Sequence, residues 1–520
     1  MKLQTIIFGS LLLLHYSMVR TEASNILGVF LSPSPSHVIV HMGIARALID
    51  QGHNLTIITS MPLKDKNPAF RHIHLKSLDI STGKFITKMN ETPLLLKPFA
   101  MYSILKEFGG TFSNFSNDPA FISFMKEDNH FDLMLHGYVF NDYLLGLAAH
   151  FKCPVVLSWI VQPFGQINRL IGNPINSEFV PFAPFFDPKP MDFPNRVVTF
   201  MANVFERILS EFLYIYSEKV YTANFPPDKY PTLKQMQNNI SMVLFNHHFS
   251  EGPIRPLVPG LVEIGGIQVK DKPDPLPSDV KKFLDNSTKG AIFFSLGSNV
   301  KANHIGPEVM ELIYKTLSSL PYDVIWKIDT DKPLGTARNI LFKNWLPQDD
   351  ILAHKNLKLF ITHAGKGSVT EAEYHQVPMV ALPVFGDQPA NAQIMQDKGH
   401  GISLDHTNLT ETLFRNTILE VMENDKYRNA IERFSKLYRD RPLTARQNAV
   451  YWIEYVIRHR GAPHMQSPLR TMNFFQQNSI DVLLFLGVSI YLIYRICKIS
   501  LRLSILIMKK MLRINKTKKD

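Results

Sequence analysis

Between Pro253 and Pro277 six prolines (Pro253, Pro256, Pro259, Pro273, Pro275, Pro277) break the chain, and the same rhythm runs on either side of them: apolar strand, helix, apolar strand. Strands that alternate with helices pair in parallel, because each helix is the crossover that returns the chain to the same end of the sheet. On the N-terminal side the strands are Ile26 to Leu31 and Leu55 to Thr59 around a helix from Val38 to Asp50. The strands Phe131 to Leu135 and Pro154 to Trp159 follow, around a helix near Tyr143 to His150. On the C-terminal side Ala291 to Ser295 and Val324 to Ile328 enclose a helix through Glu308 to Leu317. The pattern predicts an α/β protein of two Rossmann-like domains, 24–252 and 281–460, joined by an extended Pro-rich linker, 253–280. No repeat of 20 to 50 residues is present. Neither half carries GxGxxG after a strand, and Gly365-Lys366-Gly367 lacks the upstream glycine of a P-loop, so NAD enzymes and P-loop NTPases are poor fits.

The second half also contains FITHAGKGSVTEAEYHQVPMVALPVFGDQPAN, residues 360–391. An apolar run, Leu357 to Ile361, ends at Thr362-His363, passes through Ala364, Gly365, Gly367 and Ser368, and opens a helix carrying Glu371. A helix N-terminus offers backbone N–H groups without intrahelical partners and about half a positive charge, and small side chains let an anion approach. A phosphorylated small molecule is the ligand this turn predicts, although an ordinary βαβ unit uses glycines in its turns as well. A second strand, Met379 to Val384, brings Asp387 and Gln388 to its C-terminal end, the edge at which open α/β sheets bind ligands.

This segment resembles the signature of the UDP-glycosyltransferase family, of UDP-glucuronosyltransferase or UDP-glucosyltransferase type. The resemblance implies that His363, Gly365, Gly367 and Ser368 hold a diphosphate, Glu371 the ribose hydroxyls, and Asp387 with Gln388 the sugar. Two positions depart from the family's commonest form: Ala364 stands where glycine is usual, and Lys366 where a small or apolar residue is usual. The alanine is small enough to be tolerated, and the lysine either supports the diphosphate or faces solvent. Upstream, Asn344-Trp345-Leu346-Pro347-Gln348 resembles the family's uracil-stacking tryptophan, Trp345, and ribose-contacting glutamine, Gln348. Phe294-Ser295-Leu296-Gly297-Ser298 resembles its first C-terminal strand and turn, with Ser298 near the diphosphate, and its Ser-Leu-Gly-Ser-Asn form is most like insect members. The fold so implied is GT-B: two Rossmann-like domains facing a cleft, with the donor in the C-terminal one and the acceptor in the N-terminal one.

The implied reaction is an inverting, metal-independent transfer of a hexose or hexuronate, from UDP-glucose or UDP-glucuronate, to a hydroxyl of a small lipophilic acceptor. The UDP-sugar is a co-substrate, and no cofactor is called for. A base must take the acceptor's proton, and the resemblance assigns that role to His37, at the helix start after the first strand. The helix dipole there keeps the imidazole neutral. His37 and His41 lie one turn apart, but HVIVH offers no third ligand, so no metal site is expected. The family pairs this histidine with an acid after the strand that here begins at Phe131-Asp132, and the matching position is Gly137. In a serine protease triad, losing the orienting carboxylate costs about ten thousandfold. Asp142 is the candidate substitute acid or a helix cap, and His136 a weaker candidate. The alternative reading is a catalytically impaired relative that binds UDP-sugars or lipophiles. Aromatic stretches, Phe112 to Phe124 and Phe179 to Phe200, are candidate acceptor walls.

The ends of the chain suggest its compartment. Met1-Lys2, an apolar run to Leu14 and Thr21-Glu22-Ala23 read as a signal peptide, 1–23. Val482 to Tyr494 is free of charge, thirteen residues against the roughly 20 of a membrane span, which leaves a transmembrane segment at 479–500 or a core helix as readings. From Arg495 to Asp520 nine Lys or Arg face one Asp, so this stretch carries eight of the eleven net positive charges and the body is nearly neutral. Nucleic acid is therefore not an expected partner. Positive residues stay cytoplasmic, so a single-pass endoplasmic-reticulum protein follows, body lumenal and tail 501–520 cytosolic. Lys516-Thr517-Lys518-Lys519-Asp520 resembles a dilysine retrieval signal or is simply a basic tail. Two cysteines, Cys153 and Cys497, exclude a disulfide scaffold, and glycosylation acceptors occur at Asn54, Asn90, Asn114, Asn239, Asn286 and Asn408, a glycoprotein pattern that with lipophilic acceptors suggests detoxification. An oligomer is compatible with all of this.

Overall fold

The computed structural model describes residues 23–32, 34–63, 67–78, 92, 97–182, 191–298, 300, 305–328 and 334–517. The expected signal peptide, Asn90 and part of the second aromatic stretch (183–190) lie outside them. The body to Gln466 and the segment from Ser467 onward form two units.

Seven strands make the first sheet: β1 Asn25–Phe30, β2 Asn54–Thr59, β3 Phe70–His74, β4 Leu133–Gly137, β5 Val155–Trp159, β6 Ile240–Phe245 and β7 Leu261–Glu263. They run parallel in the order β3-β2-β1-β4-β5-β6-β7. Alternate residues of β1 enter opposite cores, with Leu27 and Val29 on one face and Ile26 and Phe30 on the other. Both faces are buried, which is why the central strands read as continuous apolar runs rather than as alternation. The second sheet, also parallel, consists of β8 Ala291–Ser295, β9 Asp323–Lys327, β10 Ile340–Lys343, β11 Leu357–Thr362, β12 Met379–Ala381 and β13 Gly401–Ser403, in the order β10-β9-β8-β11-β12-β13.

In both sheets the order reverses beside the first strand, between β1 and β4 and between β8 and β11. At such a reversal the neighbouring crossovers leave in opposite directions and open a crevice at the strands' C-terminal ends. The helix Pro35–Asp50 rises from the first crevice and the helix Lys366–Tyr374 from the second.

Several expectations change. The first helix begins at Pro35, whose fixed φ suits an initial helical position, rather than at Val38, so His37 lies in its first turn. Strand β12 stops at Ala381 rather than Val384, ahead of Pro383, which has no N–H to donate. The Pro-rich stretch is more than a linker, because β7 adds an edge to the first sheet. Phe115, Phe121 and Phe124 are core residues and not acceptor walls. The helix Ala445–Arg458, in the second half by chain order, buries Ala449, Val450, Ile453 and Val456 in the core of the first sheet. Cys153 is buried and free, its thiol pushed up to about 12 by burial.

The halves are also tied by charge. Lys366, at the start of its helix, sends Nζ to within 2.5 Å of Glu251 Oε1, and Thr370 Oγ1 donates to the same oxygen at 3.3 Å. The other carboxylate oxygen accepts the His248 N–H at 2.8 Å. Burial works against ionisation of Glu251, but Lys366, with His247 and the His248 N–H, outweighs it and holds the carboxyl down at about 2. Neither expectation for Lys366 therefore describes it: the ammonium is spent on an ion pair with the first half. Lys398 Nζ adds a bond to the Glu251 carbonyl at 2.8 Å.

In the second unit the helix Ile480–Thr517 runs unbroken through Arg495, Lys498 and Arg502. Its Ile480–Met511 stretch is long and apolar enough to cross a membrane, longer than the 479–500 expected. Arg495 and Lys498 each reach back one turn, to the Tyr491 hydroxyl at 3.0 Å and the Tyr494 hydroxyl at 3.4 Å.

Removing one member of a buried ion pair leaves an uncompensated charge. Lys366→Met is expected to destabilise the body by about 3 kcal/mol, and adding Glu251→Gln should recover much of that loss. Thermal unfolding of the two singles and the double checks it, and a Lys366→Met protein that melts like wild type would count against the pair.

Candidate active site

The second crevice gathers most of the residues singled out in the sequence. Strand β11 delivers His363 at its end, and the turn that follows packs around its ring. A Cβ on Gly297 would fall 2.5 Å from His363 Cε1, and one on Gly365 2.5 Å from its Nε2, so neither position admits a side chain. Gly297 also sits at φ +77°, and Lys327 Nζ donates to its carbonyl at 2.9 Å. Burial, helped by Lys327, holds the His363 imidazole down at about 4. It is neutral near pH 7 and able to donate one N–H without adding a charge. Ser298 is exposed in the turn after β8.

Gly365 is the N-cap of the Lys366–Tyr374 helix and brings no side-chain acceptor to the first-turn N–H groups, the arrangement an anion requires. Ala364 has φ +59°, in the left-handed region, which explains why glycine is usual there; an L-residue in this conformation costs about 1–2 kcal/mol. The expectation that alanine is simply tolerated needs that correction. Gly367 accepts a long bond from Gln268 Nε2 of the Pro-rich stretch, at 3.5 Å.

Gln348 opens the helix Gln348–Leu352. It donates from Nε2 to Ser368 Oγ at 3.0 Å and to Glu371 Oε2 at 2.7 Å, drawing three predicted residues into one cluster. Burial, with Asp349 nearby, raises the Glu371 carboxyl to about 8. Trp345 is 67% exposed, so its indole is not a core residue and presents an open face. Asp387 is half-buried at the N-cap of the helix Gln388–Asp397, and burial raises its carboxyl. Gln388 turns its Oε1 inward to accept the N–H groups of Val384 and Phe385 at 2.8 and 3.1 Å. Asn391, not singled out in the sequence, donates from Nδ2 to Asp387 Oδ2 at 2.7 Å and to the Ala364 carbonyl at 3.1 Å. Its spacing of four from Asp387 on a helix was the available signal.

The first crevice holds His37, half-buried, its imidazole held down at about 4 by burial. Its Nδ1 lies 2.9 Å from Ser32 Oγ. Asp142 is not brought to it. That carboxyl accepts from the Tyr138 hydroxyl at 3.0 Å and from Gln237 Nε2 at 2.9 Å. Asn141, not Asp142, occupies the N-cap of its short 3-10 turn. His136 is buried in β4. The space beside Gly137 is filled by His41: a Cβ there would lie 2.8 Å from both Cδ2 and Nε2 of that ring. His41 is fully buried, with Nδ1 2.7 Å from Ser158 Oγ.

Two parallel sheets, each with its strand order reversed beside the first strand and a helix rising from the reversal, one uncapped at its N-terminus and one carrying His37 in its first turn, define a glycosyltransferase of GT-B type. The chain belongs to the UDP-glucoronosyl and UDP-glucosyl transferase family, whose profile matches residues 29–518, and it is an enzyme that transfers a sugar from a UDP-sugar. It is 32% identical to UDP-glycosyltransferase UGT5 of Dactylopius coccus over 92% of both chains. It is 29% identical to UDP-glucuronosyltransferase 1A1 of Mus musculus over 87% of this chain and 86% of that one. Among solved structures, glycosyltransferase VinC in complex with DTDP shares the fold at a TM-score of 0.55 and 14% identity, covering 84% of this chain and 98% of that chain.

Two outcomes follow from this geometry. Gly137→Asp forces a side chain into the His41 ring, so it is expected to lower the melting temperature rather than build a dyad, with His41→Ala in the same chain relieving the clash. Wild-type melting in Gly137→Asp would show that the ring moves aside. For Glu371, hydroxyls donating to the carboxyl favour its ionised form, so a ligand that brings such hydroxyls expels the proton that a carboxyl raised to about 8 still holds at neutral pH. UDP affinity should therefore climb as pH rises towards 8 and level off above it. Calorimetry across that range tests this, and Glu371→Gln should bind more weakly and without the climb.

Proposed function

We propose that this enzyme transfers glucose or glucuronate, with inversion and without a metal ion, from its UDP-sugar to a hydroxyl of a small lipophilic acceptor. Trp345 stacks on the uracil, Gln348 and Glu371 hold the ribose, and His363 with the Gly365, Gly367 and Ser368 turn holds the diphosphate, Ser298 lying beside it. Asp387 and Gln388 hold the sugar. The observation that carries the reading is the Gln348–Ser368–Glu371 cluster, in which Ser368 and Glu371 sit on a helix whose N-terminus has no side-chain cap.

His37 is the general base. The acceptor oxygen attacks the anomeric carbon, its proton passes to the imidazole, and the bond to UDP breaks with its electron pair leaving on the β-phosphate. Charge growing there meets the first-turn N–H groups and the neutral His363, donors already oriented before the reaction. Asp142, engaged with Tyr138 and Gln237, has no part in this scheme. The second reading, a donor-binding relative without turnover, is favoured by the filled space beside Gly137.

The body is lumenal in the endoplasmic reticulum, held by one pass of the C-terminal helix with the basic tail cytosolic. The support is the apolar Ile480–Met511 stretch followed by the Lys/Arg excess. Asn54, Asn114, Asn239, Asn286 and Asn408 are all exposed and open to glycosylation.

UDP release by membranes bearing the full-length protein is the direct test, with UDP-glucose, UDP-glucuronate, UDP-galactose and UDP-N-acetylglucosamine each offered against phenols and sterols. Turnover with one of the first two, lost in His37→Ala, is the expected result. UDP binding with no turnover under any pairing would mean the second reading.

A further inference from the structure

Where a carboxylate would orient the base, this chain has Gly137, with the His41 ring in the space beside it. The nearest substitute in sequence, Asp142, is held by Tyr138 and Gln237. A general base still needs one ring nitrogen tied down, because the tautomer and the ring angle otherwise drift and only one tautomer leaves the reactive nitrogen with its lone pair. His37 has such a partner. Ser32 Oγ stands 2.9 Å from its Nδ1.

Ser32 is built to hold that position. It is 1% exposed, immediately beyond the end of β1, and its carbonyl accepts the Ser60 hydroxyl at 3.1 Å. Its Oγ also accepts the Ser34 N–H at 3.3 Å, which occupies one of its two lone pairs. The other lone pair stays open to an Nδ1–H donated by His37.

We propose that Ser32 is the positioning residue for His37: its hydroxyl accepts Nδ1–H, which fixes the ring and leaves Nε2 as the basic nitrogen. The inference rests on the reading of His37 as the base. During transfer the acceptor's proton moves to Nε2 as the new C–O bond forms and the bond to UDP breaks. The Ser32 bond is kept throughout. A hydroxyl carries no charge, so it orients the imidazole but stabilises the imidazolium less than a carboxylate does, and the enzyme is slower for it.

The test compares wild type with Ser32→Ala, the size-matched Ser32→Cys and the hydroxyl-keeping Ser32→Thr, in full-length protein in membranes. The donor KM and kcat are read for each, with UDP affinity as the check on the donor half. The loss of one oriented hydrogen bond predicts a kcat about tenfold lower in Ser32→Ala and Ser32→Cys, with donor KM and UDP affinity unchanged and most of kcat kept in Ser32→Thr. Wild-type kcat in Ser32→Cys, or a Ser32→Thr as slow as Ser32→Cys, overturns the role of Ser32 and leaves His37 standing. A wild-type protein that binds UDP but turns over no acceptor removes the His37 reading and Ser32 with it.

Discussion

A parallel strand can be followed by its neighbour only through a crossover, and the two sheets of this protein each reverse the direction of those crossovers once, beside their first strand. Everything chemical in the molecule hangs on those two reversals. At β1 and β4 the backbone opens a crevice that receives the first turn of the Pro35–Asp50 helix and with it His37. At β8 and β11 it opens one that receives Gly297, His363 and the Lys366–Tyr374 helix. The glycines there answer to contact as much as to flexibility, because the imidazole of His363 lies where two Cβ atoms would otherwise be.

The two halves are also registered against each other. Two features do this here. The helix Ala445–Arg458 contributes its apolar face to the core of the first sheet, so the end of the second half is part of the first. The Lys366–Glu251 pair joins the first turn of the Lys366–Tyr374 helix to a short segment following β6. The ammonium at this helix N-terminus is thereby paired from the opposite half, which gives the departure from the family at Lys366 a structural role.

Near His37 two buried positions are fitted to each other. Gly137 and His41 fit together, the ring occupying the space a side chain would need, and the same ring is held on its other side by Ser158. A side chain at position 137 and the His41 ring compete for the same space, so the two positions are coupled in this structure. His37, deprived of a charged neighbour, takes its hydrogen bond from within its own loop.

Much of this was legible from residue order. Apolar runs separated by helices are a local signal, so most central strands of both sheets were found within about two residues, and the residues singled out around the turn after β11 meet at one crevice because they come from one short stretch. What could not be read depends on residues far apart in the chain. Glu251 meets Lys366, Asp142 meets Gln237 and Ala449 meets the first sheet only after the chain has folded back on itself, and no periodicity records such pairings. Phe121 and Phe124 looked like a ligand wall because composition cannot tell a buried ring from one lining a cleft. The left-handed backbone at Ala364 was hidden because a φ angle belongs to the turn's surroundings and not to its letters. Sequence alone determined the βαβ class, the glycine-rich turn that opens the Lys366–Tyr374 helix and the apolar C-terminal helix, all of which arise from contacts between near neighbours. Only the tertiary structure decided which partner each buried charge and each histidine would have, because those partners are set by packing between distant segments.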